Sequence, residues 1–185
     1  MSAELPGQVI NQLISSLPDR ERLRMLALCE PVELTFGEIL CEAGEPVHHV
    51  YFPLSGFISQ VATTVDHRPL EMGLIGSEGM LGATLVLGIS DAPLRAVVQG
   101  SGSAFRIKTT QLRADLHESQ AMQRMFSRYV YVSMAQLAQT AVCNCFHEVE
   151  ARLARWLLMT HDRAHGNHFQ LTHQFLADML GVQRS

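Results

Sequence analysis

The residue types that most often carry chemistry are scattered in this chain. Nine histidines are present, and five of them follow Phe146: His147, His161, His165, His168 and His173. His161 and His165 stand four apart and would share a helical face, so with His168 they form the best-spaced candidate metal site. Histidines near a helix C-terminus also suit the dipole there, and a solvated helix end and loop is the simpler reading. The four cysteines, Cys29, Cys41, Cys143 and Cys145, form no CxxC unit and no disulfide framework. Cys143 and Cys145 lie two apart in a helical stretch, where their side chains diverge, and are expected to be small packed residues. Cys29 and Cys41, twelve positions apart, supply too few thiolates for an iron–sulfur cluster. His48 and His49 precede a strand and His67 falls at a hairpin tip, positions that favour exposure over haem ligation. There are no paired carboxylates and no nucleophile–base set. No metal site and no enzymatic activity are expected.

The elements that must position any functional residue come next. At 185 residues and 47% hydrophobic content, the chain can form one large or two small domains with a real core. A net charge of −4 excludes a basic coat over nucleic acid, though not DNA contact through one helix. The N-terminus has Glu4 early, no basic lead and no long apolar run, so no signal peptide is read there. No stretch approaches the ~20 apolar residues of a membrane span, and a cytoplasmic location is expected.

Val9, Ile10, Leu13, Ile14 and Leu17 predict a short amphipathic helix over residues 7–17. Pro18 and Asp19 open a second, with Leu23, Leu26 and Ala27 on its apolar side and Pro31 ending it. From Val32 to Ile107 short β-prone runs alternate with Gly, Pro, Asp and Glu, which predicts an all-β sandwich or roll. Asp66-His67-Arg68-Pro69 is the tip of a hairpin between Val61–Val65 and Leu70–Ile75, and Gly100-Ser101-Gly102 turns between two late strands. A short helix over Thr109–His117 precedes a long one over Ser119–Phe146, which has no Pro or Gly and no charge after Tyr129. That helix is apolar nearly all round. Met122, Phe126, Tyr129, Ser133, Gln136 and Thr140 form one stripe, and a helix apolar on both sides must be covered on both. The expectation is a roll on one side and a second copy on the other, in a parallel dimer with those six residues at the interface.

Gly37-Glu38-Ile39-Leu40, Ala43-Gly44-Glu45 and Val50-Tyr51-Phe52-Pro53-Leu54-Ser55-Gly56 together resemble the opening of a cyclic-nucleotide-binding β-roll, the sensor of the Crp/Fnr superfamily of bacterial transcription regulators. The resemblance runs from about Val32 to the last residue. It implies an α+β protein: N-terminal helices, an antiparallel jelly-roll β-domain, a long dimerisation helix and an incomplete C-terminal helix-turn-helix. The corresponding domains are 1–118, 119–146 and 147–185.

In nucleotide-binding members of this superfamily a Gly-Glu-Leu-type segment, followed by Arg-Ser/Thr-Ala, holds the ribose and the cyclic phosphate. A half-buried anion needs such a cation and fixed donors. Here the matching segment is Gly82-Ala83-Thr84-Leu85, with Ala83 in place of Glu, and Ala92-Pro93-Leu94 stands where Arg-Ser-Ala belongs. Arg95 is offset by three, which on a strand turns it to the other side. The resemblance places Leu137 and Ala138 at the lid positions of the long helix, with Ser133 a further pocket candidate, and neither Leu137 nor Ala138 has a side chain that could bond a nucleobase. Neither cAMP nor cGMP is expected as a cofactor. A roll that is purely scaffold and a roll holding a different, more apolar effector, with Leu85, Val86, Leu87 and Ile89 around it, both remain open.

After Phe146 a helix is predicted with Val149, Leu153, Trp156 and Leu157 inward, and Glu150 to Ala154 resembles the first helix of the family's DNA-binding domain. Gly166-Asn167 stops it, and Phe169-Gln170-Leu171 is a short strand. Thr172 then caps a helix with Phe175, Leu176, Met179 and Leu180 on its core side, and Gly181 and Val182 make the turn of a helix-turn-helix. The resemblance implies that Gln183, Arg184 and Ser185 begin the recognition helix, with Arg184 reading guanine and Thr172 touching phosphate. It also implies that the recognition helix and wing continue beyond Ser185. Four Arg balance four acidic residues from His147 onward, so weak DNA binding is expected of residues 1–185 alone. The implied partners are DNA, a second copy, RNA polymerase and an unidentified small effector, with no membrane. The alternative is a ligand-binding module acting through a protein partner rather than DNA.

Overall fold

A computed structural model describes residues 11–64, 67–164, 176, 179 and 180. Two short N-terminal helices, α1 (Gln12–Ser15) and α2 (Asp19–Leu28), lead into seven strands. These are β1 (Glu30–Leu34), β2 (Ile39–Cys41), β3 (His49–Pro53), β4 (Phe57–Thr64), β5 (His67–Ile75), β6 (Arg95–Gly100) and β7 (Gly102–Lys108). A 3₁₀ turn, Ala83–Leu87, interrupts the series after β5. Helices α3 (Thr109–Glu118), α4 (Gln120–Phe146) and α5 (Val149–Ala164) follow.

The strands form two antiparallel sheets, one ordered β1-β7-β3 and the other β2-β6-β4-β5. The tight turn at Ser101 therefore carries the chain from one sheet to the other. Alternation fixes the inward sides: Val50 and Phe52 are fully buried on β3, opposite Ile107 and Phe105 of β7. Two cores result. Ile14, Met25, Phe52, Met80, Leu112, Met122 and Phe126 join the helices to the three-stranded sheet. Leu34, Ile58, Ile75, Leu81, Ala96, Val98 and Ala104 fill the space between the sheets.

Several local expectations need correction. Helix α2 stops at Leu28 and Pro31 lies inside β1, because a strand edge tolerates Pro where a helix interior does not. Leu23 is 67% exposed, and Met25 is the buried residue of α2. Leu85 and Val86 turn into the helix-side core rather than toward the cassette. On α5, Val149 is exposed while Trp156 is buried. Phe169–Leu171, Thr172–Phe175, Ala177, Gly181, Val182, Gln183, Arg184 and Ser185 lie outside the described residues, as do His165, His168 and His173.

Candidate effector cavity and the helix that closes it

The long helix α4 starts where its sequence says it should: the Ser119 hydroxyl accepts from the Met122 amide and caps the first turn. Its first half is sunk into the roll. Met122 and Phe126 are fully buried, and the Phe126 ring tilts against Phe52 with centroids 6.1 Å apart. Two residues expected at a dimer interface are thus core residues of a single chain. Tyr129 packs so closely over the roll that a Cβ at Gly79 would overlap its hydroxyl. Burial pushes its phenol pKa up. Thr140 is also buried, with its hydroxyl accepting from Arg155 Nη1 at 3.1 Å. What α4 leaves uncovered is a different set: Tyr131 (72% exposed), Met134 (63%) and Phe146 (80%).

Between α4 and the four-stranded sheet lies a cavity of about 400 Å³. Gly82, Ala83 and Thr84 form one wall, and Tyr129, Ser133, Gln136 and Leu137 form the α4 side. Met72, Leu74, Met80 and Leu81 supply much of the remainder, and Ala92, Pro93 and Leu94 flank the mouth with Leu87. Among the described residues no charged side chain lines this space. Arg95 does not reach it. Its Nε donates to Glu42 Oε2 at 2.7 Å, which commits the guanidinium to an ion pair on the sheet. Ser133 spends its hydroxyl on the Tyr129 carbonyl at 2.9 Å, one turn back. Ala138 is exposed and outside the cavity. The chemistry available to an occupant is therefore dispersion from methionine and leucine, with Gln60, Thr84 and Gln136 as neutral hydrogen-bonding partners.

The thiols offer little reactivity. Burial pushes Cys29 up to about 12, and Cys41, which lines the cavity, is raised for the same reason. Among the described residues, no three of His, Cys, Asp and Glu come together as a metal site would require.

Two groups escaped the sequence reading. Asn11 is fully buried: its Nδ2 donates to the carbonyls of Pro53 (3.0 Å) and Gly79 (2.8 Å), and its Oδ1 caps α1. Glu71, on β5, is buried and receives Ser59 Oγ at 2.6 Å and Trp156 Nε1 at 2.8 Å. An Asn ahead of an apolar helix is a legible capping signal. Nothing local flags Glu71, whose partner lies 85 positions away.

A two-sheet roll closed by a long helix, with a further helix carrying the chain onward, is the architecture that the sequence resemblance implies. Comparison with known proteins bears this out. Residues 31–119 match the cyclic nucleotide-binding domain and residues 151–185 match the Crp-like helix-turn-helix domain, together well over half of the chain. The chain belongs to the Crp/Fnr superfamily of DNA-binding transcription regulators. The alternative, a module acting through a protein partner, is not favoured.

Solved structures share the fold at low identity. The c-di-GMP-responsive global regulator CLP of Xanthomonas campestris has a TM-score of 0.71 at 18% identity, over 90% of this chain and 86% of that one. FixK2 of Bradyrhizobium japonicum has 0.69 at 14%, over 83% and 78%. A Crp/Fnr-family regulator of Eubacterium rectale has 0.72 at 12%, over 93% and 81%. No curated protein matches the sequence. Among the described residues no helix is long and apolar enough to cross a membrane.

Proposed function

We propose that this regulator senses a small, uncharged and largely apolar molecule in the roll cavity, and that neither cAMP nor cGMP is its effector. The observation that carries this is the absence of charge from the described lining, together with the pairing of Arg95 to Glu42. A cyclic phosphate moved into such a space would lose its water without gaining a cation, which costs several kcal/mol. The same argument applies to cyclic di-GMP, the effector named for CLP, which carries two phosphates.

The chain acts by binding rather than by catalysis, as a cytoplasmic homodimer. Residues 1–118 are the sensor, 119–146 the dimerisation helix and 147–185 the start of the DNA-binding domain. Pairing uses the exposed side of α4 around Tyr131 and Phe146, since an apolar strip of that length is rarely left in water. Thr172, Gln183, Arg184 and Ser185 are the DNA contacts the family resemblance supports, with RNA polymerase as the downstream partner.

Titration calorimetry with cAMP, cGMP and cyclic di-GMP is expected to give no binding in the micromolar range. Native mass spectrometry after gentle purification is expected to show a neutral occupant. Micromolar affinity for any of the three nucleotides overturns the reading.

A further inference from the structure

Strand β5 has a cavity on one side and a buried polar seam on the other. Gln60 pairs with Gly73 but Val61 pairs with Glu71, so Met72 is the extra residue of a bulge. Bulges re-aim side chains. Here Met72 and Gly73 reach both the effector cavity and the space beneath α5, while Glu71 turns fully to α5. Glu71 accepts from Trp156 on α5 and from Ser59 on β4.

A second contact lies beside the first. Arg163 of α5 is itself buried, and its Nε sits 2.7 Å from Glu78 Oε1, a close ion pair though not aligned as a hydrogen bond. Gly76 makes that approach possible, because a Cβ there would come within 2.7 Å of Arg163 Cγ. Glu78 belongs to the loop that continues into Met80, Leu81 and Gly82 of the cavity wall. Farther along, Gln99 Nε2 of β6 lies 3.8 Å from Met179 Sδ of the DNA-binding segment, and Arg152 donates to the Leu180 carbonyl.

We propose that Glu71–Trp156 and Glu78–Arg163 are the two halves of a latch that holds the DNA-binding module against its own sensor sheet, and that the Met72 bulge and the 76–82 loop couple this latch to the cavity. Glu71, Trp156 and Arg163 are buried, while Glu78 is about one-third exposed; buried polar groups are costly to leave half-paired, so the module is either seated or released rather than loosely tethered. The seat and the cavity share Met72 and Gly73, so an occupant that shifts the bulge shifts the seat, and the reverse follows by linkage. Burial holds the Glu71 carboxyl up at about 7, opposed by its bonds from Ser59 and Trp156 and by Arg163 and Arg155. A neutral Gln therefore seats better than Glu at slightly alkaline pH, keeping an acceptor for Trp156 and a donor for Ser59.

The coupling to DNA rests on the regulator reading, but the latch does not. Trp156 is the sole tryptophan of the chain, so its emission and acrylamide quenching report the seat directly. In this 185-residue chain at pH 8, Glu71→Gln is expected to lower the quenching constant at least twofold. Glu71→Ala and Glu78→Ala are expected to raise it at least twofold, with far-UV circular dichroism unchanged. Affinity for the operator is expected to move by threefold or more, in opposite directions for Glu71→Gln and the two Ala variants. Equal quenching in all four proteins overturns the latch, whatever DNA does. Altered quenching with operator affinities that stay put or move together overturns the coupling.

Discussion

The two halves of α4 are both largely apolar, yet they are covered to different extents. From Gln120 to Val130 its apolar side chains are spent on the roll, with Met122 and Phe126 at zero exposure. From Tyr131 to Phe146 only Thr140 and Cys143 are buried, and Tyr131, Val132, Met134, Val142 and Phe146 stand in solvent. The difference lies in what is adjacent. The N-terminal half packs into the helix-side core, whereas the C-terminal half meets β5 along one side only, through Ser133, Leu137, Thr140 and Cys143. An apolar surface thus marks a need for cover, and the topology decides whether the cover comes from the same chain. Substitutions in the two halves should separate fold from assembly.

The largest effect is expected at Phe126. Phe126→Ala empties a fully buried ring site, at a cost of about 3–5 kcal/mol. Thermal unfolding should shift down by on the order of 10 °C. A shift of only a degree or two would mean that the N-terminal half is not a core element. Tyr131→Glu, on the exposed half, should behave in the opposite way: folding stability within about 0.5 kcal/mol of the parent, but a monomer by sedimentation at micromolar concentration. A variant that stays dimeric moves the interface off α4.

Much of this organisation was legible. A stretch without Pro or Gly, opened by Ser119, gave α4 its bounds, and the turn at Gly100–Gly102 separated β6 from β7. The loss of Glu at Ala83 pointed away from a nucleotide, and the proposal of a neutral effector rests on the uncharged lining described above. The assignment of faces was not legible. Met122, Phe126 and Tyr129 share a stripe with Ser133 and Gln136, and helical spacing cannot say which neighbour that stripe meets. Glu71 was invisible for a related reason: an acid between Leu70 and Met72 reads as an ordinary solvent-facing strand residue until α5 is laid over it.

The seam of α5 adds a third contrast, between a neutral cavity and a charged interface on the two sides of β5. Glu71 titrates at about 7 when seated, against about 4.5 when free. Because the seated pKa is the higher one, seating takes up a proton. It is most favourable below about pH 4.5, weakens as pH rises to about 7, and is constant above that. The full difference is on the order of 3 kcal/mol. The neighbouring Arg155 and Arg163 favour the carboxylate and oppose the effect of burial without reversing it. Hydrogen exchange of α5 is expected to quicken between pH 5 and 8 beyond the intrinsic trend, and Glu71→Gln to abolish that excess. An excess that survives in Glu71→Gln would assign the titration elsewhere.

Arg95 should show the smallest effect, and its smallness is informative. Its pairing with Glu42 is about one-third exposed on each side, and such pairs contribute roughly 0–1 kcal/mol. Arg95→Ala is therefore expected to leave thermal stability almost unchanged. Were Arg95 a dormant phosphate ligand, it would have to abandon Glu42 and reach a cavity whose wall it does not form. Its removal would then alter the response to an anionic ligand and spare that to a neutral one. With a neutral apolar dye such as Nile red as the cavity probe, parent and Arg95→Ala are expected to bind within twofold of each other, and added cAMP to displace the dye from neither. Displacement from the parent but not from the variant would return Arg95 to the effector site and remove the distinction between a charged sheet surface and an uncharged cavity.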